Sequence, residues 1–537
     1  MTETTASAPI IVSREFFERR HPAYAELLDQ WMFFYSCYRG GRSWFDDNVF
    51  RYYKEGDREF KDRIKRAYRF NHSREVVDLV QKYLFKAKIA RNTDTAPDML
   101  KQFWNSATRS GLSIDQLMRN ASTSASIGGR IAVVVDNNKP NVVDAEASLS
   151  EKQVEESNAK IYAYTVMPWD VLDYAWDEDG DGELLWIKLR EYVRDDSDPH
   201  NSSGLTETRV RLWTRTEWYL YQEQDVETTQ RGTRKNSVEK TVVEKKIVQI
   251  GSGRHNLGFV PVKLFDHILT GEAYRSTGLI DDIAYLDRAV ANYLSNLDAI
   301  IQDQTFSQLA IPAQSLPQGS DMFDRIVEMG TKRVFTYDGG AGSTSEPKFI
   351  SPDPKQAGVI VSVIEKIINE IYHTIGLAGE RTKQDNAVGI DNSSGVAKAY
   401  DFERVNSLLL AKAQSCEHLE NWICNTVIAW AGVTASKEKL VTYPTTFDIA
   451  RLGDELATAE ALGKVEAPIE LRREQMNAIV DKLFPQISVE LRSALRAAIQ
   501  KWETTVEKTL KEPVVKPGDT SQTSVQGSRQ GEVTKNT

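Results

Sequence analysis

The sequence predicts an α+β chain, mainly helical, and three observations carry that expectation. Residues 13 to about 127 hold a succession of amphipathic helical patterns. Residues 130 to about 267 change to the alternation and β-branched enrichment of strands. From Leu279 to Ala378, two apolar-striped helical segments bracket about fifty residues rich in Pro, Gly and Ser.

Taken in order, Phe16 to Phe34 reads as one amphipathic helix. Asp57 to Ala90 reads as a long charged helix containing the apolar run Tyr83-Leu-Phe85. Between Arg51 and Arg91 there are 13 Lys/Arg against 6 Asp/Glu. That excess is either a solvated helix face or a patch that meets an acidic partner or nucleic acid.

Ile131-Ala-Val-Val-Val135 is a buried-strand pattern. Lys160 to Trp176 and Leu184 to Val193 flank a turn, and Arg209 to Gln222 alternates as a half-buried strand, with Val210, Leu212, Tyr219 and Tyr221 among its apolar members. Asn137 to Ser157 and Arg194 to Leu205 read as polar insertions, and Gly251 to Val260 as a Gly-rich connection into Val260-Pro-Val262.

In the first striped segment, Leu279, Ile283, Leu286, Val290, Tyr293, Leu297 and Ile300 share one helix face. The second carries Val359, Ile360, Val363, Ile364, Ile367, Ile368, Ile371 and Ile375. Strand-like pieces such as Arg333-Val-Phe-Thr-Tyr337 lie between them. A chain that runs out along one helix, builds a small tip and returns along another makes a projection. Asp281, Asp282, Asp287, Asp298 and Asp303 stand against the single base Arg288 on the first segment. They form a solvated face in an isolated chain. In a ring they would recur around the axis and line a lumen with negative charge, which repels phosphates.

A polar loop, Gly379 to Ser394, follows, and Ser393-Ser394-Gly395 offers a cap to a long helix over Val396 to Ala431. Tyr443-Pro-Thr-Thr-Phe447 is an extended link. Helices are expected over Ile449–Leu462, Ile469–Leu483 and Val489–Glu507, with a disordered tail from Lys511 to Thr537.

A net charge of −10 argues against a protein coated with nucleic acid over its whole surface. The three cysteines (Cys37, Cys416, Cys424) form no CxxC pair, and the last two read as buried small hydrophobes. No apolar run approaches the ~20 residues of a spanning helix, and Met1 to Pro9 lacks leader character, so a soluble chain assembled in the cytoplasm is expected.

Several local patterns carry no chemistry. Asp177-Glu-Asp179-Gly-Asp181-Gly-Glu183 starts like a calcium loop, but Lys188 stands where the bidentate Glu belongs and the flanks read as strands; a tight acidic turn fits better. Gly251-Ser-Gly253 with Gly258 has the wrong spacing for a dinucleotide loop, and Gly339 to Ser345 lacks the Lys of a P-loop. The seven histidines show no metal-ligand spacing, and no nucleophile elbow is present. Neither a catalytic residue, a metal nor a cofactor is expected, and the chain does not read as an enzyme.

The order of parts resembles the portal, or head-to-tail connector, of tailed double-stranded DNA bacteriophages, over roughly residues 20 to 510. Short pieces similar to portal sequences are Pro168-Trp-Asp-Val-Leu-Asp173, Leu257-Gly-Phe-Val-Pro261, Ser295 and Asn392-Ser-Ser-Gly-Val-Ala397. The resemblance implies a wing over 1–275 (helical, then β-rich), a first stem helix over 276–305 and a clip over 306–354. A second stem helix over 355–378, a tunnel loop over 379–394, a long wing helix over 395–442 and a helical crown over 443–510 follow, then a disordered tail over 511–537. It implies a homo-oligomeric ring of twelve at one capsid vertex of the virion, with no membrane contact. Double-stranded DNA would pass through it on packaging and ejection.

The implied partners are the large terminase ATPase, head-tail adaptor or connector proteins, and the major capsid and scaffold proteins. Tunnel-loop candidates are Lys383, Gln384, Asp385, Asn386, Ser393 and Ser394, with Lys383 contacting phosphates. Clip docking candidates are Phe323, Arg325, Lys332, Arg333, Phe335 and Tyr337. The wing insertions depart from a minimal portal. A capsid or scaffold-like protein without a channel, and a packaging enzyme, are the alternatives. The first gives the 279–378 excursion no purpose; the second lacks a phosphate loop or a carboxylate cluster.

Overall fold

A computed structural model describes residues 10–137 (save 54 and 87), 160–177, 182–194, 204–305, save 231–239, 308–312, 334–337, 348–350, 355–376, 395–433, 439–445, 469–483 and 489–501, with residues 198, 200, 202, 346 and 447. Its first unit, Met1–Phe447, begins with β1 (Ile11–Val12) and α1 (Arg14–Glu18), the latter capped by Ser13, which accepts the Phe16 N–H at 3.1 Å. Next come α2 (Pro22–Arg39), α3 (Ser43–Asn48), α4 (Asp57–Arg66) and α5 (His72–Leu84). The single helix expected over Phe16–Phe34 is broken before Pro22, whose ring pushes His21 into an extended conformation. The long helix expected over 57–90 is likewise two, because Ala67 is extended and Asn71 takes a left-handed φ of 32°.

β2 (Ala90–Arg91), α6 (Asp98–Asn105) and α7 (Ile114–Gly128) complete the N-terminal helical part. α7 stops at Gly129, φ 78°, where a Cβ would lie 1.9 Å from the Ser276 carbonyl; only glycine allows that crossing.

The strands are β3 (Arg130–Asn137), β4 (Ile161–Val166), β5 (Val171–Trp176), β6 (Leu184–Val193), β7 (Glu207–Thr214), β8 (Glu217–Gln230), β9 (Lys240–Arg254) and β10 (Val262–Asp266). They form an antiparallel sheet ordered β1-β9-β8-β7-β6-β5 and a smaller one ordered β10-β3-β4. The expected run over Lys160–Trp176 therefore serves two sheets, divided by a 3₁₀ turn at Pro168–Asp170. Arg209 to Gln222 is a hairpin, with Trp213 opposite Trp218. Gly251 to Arg254 belong to β9.

The alternation of β3 serves two cores at once. Ile131, Val133 and Val135 face the helices, with Val76, Leu100, Met118, Ile283, Ile371 and Leu409. Ala132 and Val134 face the sheet and α2, with Tyr24, Ile187, Leu189 and Trp213. The buried strand expected at 131–135 is found there.

α8 (Ile283–Thr305) leads to β11 (Gln308–Pro312), β12 (Val334–Tyr337) and β13 (Lys348–Ile350), a three-stranded sheet with β11 in the centre. α9 (Lys355–Thr374) follows and packs against α8. α10 (Gly395–Trp430) crosses the core, and β14 (Val441–Thr442) pairs antiparallel with β2. In the second unit, Asp448–Thr537, α11 (Ile469–Leu483) packs against α12 (Val489–Gln500). The expected helix 449–462, the tunnel loop 379–394, the insertion core 138–159 and the tail lie outside the described residues.

Candidate functional site

The two long helices α8 and α9 are held by the start of α5. A helix N-terminus leaves its first N–H groups without partners inside the helix. Here Asn71 Oδ1 accepts the Arg74 N–H at 3.0 Å. Asp287 of α8 takes the next two: Oδ2 accepts Ser73 N at 3.1 Å and Oδ1 accepts His72 N at 3.4 Å. Ser73 Oγ adds a bond to Oδ2 at 2.7 Å, and Arg69 Nη1 lies 3.6 Å from the same oxygen. Arg69 in turn stacks over Trp44, 3.9 Å from its ring centroid. A fully buried carboxylate is thus seated on a helix end whose dipole favours it.

α9 reaches the same place. Tyr372 Oη lies 3.2 Å from His72 Nδ1 and donates to Glu75. Asp287 lies near the start of α8 and Tyr372 near the end of α9, so the two helices run antiparallel from a common root. Burial falls along both away from that root. Ile371 is 0% exposed and Leu294 5%, whereas Ile301 reaches 46% and Val359 64%.

This corrects the acidic lining expected on the first long helix. Asp287 points into the core and cannot face a lumen. The apolar stripe is rotated from its expected position: Ile280, Ile283, Val290 and Leu294 are buried and Tyr293 is exposed, so Asp287 lies on the buried side. Asp298 pairs with Arg66 of α4 at 3.2 Å. Asp281 accepts the Gly278 N–H at 2.9 Å, and burial raises its carboxyl to about 6. Asp282 is exposed, and the Asp303 side chain lies outside the described residues. The signal available in the sequence was an acid one turn from apolar neighbours on either side at 283 and 290.

The basic 51–91 stretch divides. Arg63 is buried and bonds Glu55, the Phe50 carbonyl and Ser295 Oγ of α8, the last at 2.9 Å. Arg69 serves Asp287. Arg58, Lys61 and Lys65 stand exposed on α4.

α10 carries a second buried polar cluster. Lys412 Nζ donates to Ser126 Oγ at 2.7 Å and to His267 Nδ1 at 2.8 Å. Burial lowers this ammonium to about 8 and holds the His267 imidazole well below its ordinary value. Farther along, Glu420 meets Arg91 at 2.6 Å and Tyr443 Oη at 2.7 Å, tying β2 and β14 to the helix.

The acidic turn expected over Asp177 to Glu183 has its centre, residues 178–181, outside the described residues. Asp177 N bonds the Glu183 carbonyl at 2.9 Å, and Lys188, fully buried, donates to the carbonyls of Phe16 and Arg19. Cys37, Cys416 and Cys424 are all buried. No group of three or more potential metal ligands occurs among the described residues, and no described helix is long and apolar enough to cross a membrane. Of the clip candidates, Phe335 and Tyr337 lie on β12; Phe323, Arg325, Lys332 and Arg333 lie outside the described residues, as do Lys383, Gln384, Asp385, Asn386, Ser393 and Ser394.

No protein-family model and no curated protein matches the chain. Among solved structures, it is similar to a chain in the neck of an empty gene transfer agent particle computed with C6 symmetry. The identity is 11% and the TM-score 0.39, over 75% of this chain and 89% of that one. It is also similar to a chain of the native gene transfer agent virion, with 10% identity and a TM-score of 0.40, over 88% of this chain and 95% of that one.

Proposed function

We propose that the chain is the subunit of a portal ring at a capsid vertex of a phage-like particle, through which double-stranded DNA is packaged and ejected. The observation that carries this reading is the antiparallel pair α8 and α9, rooted together on α5, bracketing a small sheet and losing burial with distance from the root. Apolar side chains such as Ile301, Val359 and Val361 gain cover if copies stand side by side and the helix pairs wall a conduit, as closed point-group assembly provides.

In that arrangement the sheet of β11, β12 and β13 is the clip, presented to the packaging ATPase and afterwards to adaptor proteins. The long α10 backs the wing. DNA movement draws its energy from the separate motor, so the chain itself is structural. Of the five acids expected along the bore, Asp287 is withdrawn into the core and Asp298 is paired with Arg66, while Asp282 stays exposed.

Mass photometry and end-on negative-stain images of the full-length protein test this. Closed, hollow rings of about a dozen subunits are expected. A lone monomer at every concentration, or sheets and closed shells, would overturn it.

A further inference from the structure

We infer that the outer face of α4, with the aromatic residues at its two ends, is a contact surface for a second copy of this chain. The inference rests on the ring reading and names a face by which one subunit holds the next. The inner side of α4 is fixed by Arg63 on Glu55 and Ser295 and by Arg66 on Asp298. Its outer side presents Arg58, Lys61 and Lys65, three and four residues apart and therefore on one face. Tyr52 and Tyr53 precede the helix with ring centroids 4.7 Å apart, and Tyr68 and Phe70 follow it. Tyr53 is 78% exposed and Phe70 57%. Aromatic residues are enriched in protein interfaces, and the two exposed aromatic pairs give the ends of this face that character, while its lysines suit a rim.

Charge selects the partner. Residues 51–91 carry +7 (13 minus 6) and the chain −10, so the remainder carries −17 (−10 minus +7). A second copy thus offers more acidic than basic residues outside this stretch. A nucleic acid fits less well, because the exposed aromatic pairs at both ends of α4 flank only three cations on its outer face, and affinity for a duplex comes largely from Lys and Arg at its phosphates. The face also adjoins the projecting pair: Phe50 N bonds Asn292 of α8 at 2.9 Å. A neighbour covering α4 therefore lies against the helix that carries the exposed Ile301.

The test places a photo-crosslinking phenylalanine analogue at position 53 of the full-length protein and irradiates it once assembled. Covalent chain-to-chain dimers are expected, with the linked peptide in an acidic segment. Lys61→Glu with Lys65→Glu should raise the concentration for half-assembly about tenfold, and Tyr53→Ala should do so with an unchanged melting temperature. Wild-type rings that form without such crosslinks, and assemble equally well with these substitutions, would overturn the inference while leaving the ring standing. So would crosslinks that go to added DNA. A wild type that never forms rings ends the ring reading and this inference together.

Discussion

Ser73 Oγ and Asp287 Oδ2 are bonded at 2.7 Å across 214 residues of sequence, and both side chains are wholly shielded from solvent. A carboxylate in that position must keep its donors, since an unpaired buried charge costs far more than the bond itself contributes.

Asp287→Ala should therefore destabilise the chain by about 3 kcal/mol, and Ser73→Ala by about 1 kcal/mol, in denaturant titrations. The double variant should lose less than the sum of the two, because the pair acts as a unit. Additive losses would mean that the contact contributes no coupling.

Lys412 predicts a pH dependence. Its folded value of about 8 lies below its ordinary 10.5, so between these pH values the unfolded chain binds more protons and stability rises with pH. Lys412→Met removes that term. The wild type should accordingly gain on the variant as pH rises from 7 to 10, by up to about 3 kcal/mol. A constant difference across that range would contradict it.

The thiols should be inert. Burial pushes Cys416 up to about 11 and Cys424 to about 12, and raises Cys37 as well. No thiol should react with an aromatic disulfide reagent at pH 8 in the native protein, and all three should react in guanidinium. Rapid labelling of even one native thiol would show that its site opens.

Lys383 is one of two cations, with Arg381, in the stretch 379–394 that the portal resemblance makes the tunnel loop. Lys383→Ala should leave ring assembly intact and shorten the packaged DNA or weaken its retention, measured by gel sizing of extracted genomes. Unchanged packaging and retention would count against a phosphate contact there.

Much of the fold was legible because periodicity reports burial. The strand at 131–135, the helices within 279–305, 355–374 and 395–430, and the strand ending at Tyr337 follow from apolar spacing alone. Breaks were harder. Pro22 and the left-handed Asn71 interrupt patterns that remain amphipathic on either side, and Arg215-Thr216 turns a hairpin without Gly or Asn. The role of Asp287 was hidden for another reason. Its acceptor capacity is used by N–H groups 214 and 215 residues away, and a single helix's pattern says nothing about which distant helix end will face it.

The pairing of β2 with β14 has a consequence for biosynthesis. Arg91 faces Val441 on the neighbouring strand and bonds Glu420, so about 350 residues must emerge from the ribosome before this early segment finds its permanent neighbours. At about 5–20 residues per second, that is a wait of roughly twenty to seventy seconds. Until then the apolar side chains of α5, α6 and α7 that α10 covers in the finished fold lack that cover, so the early helices cannot complete their core before the late ones are made.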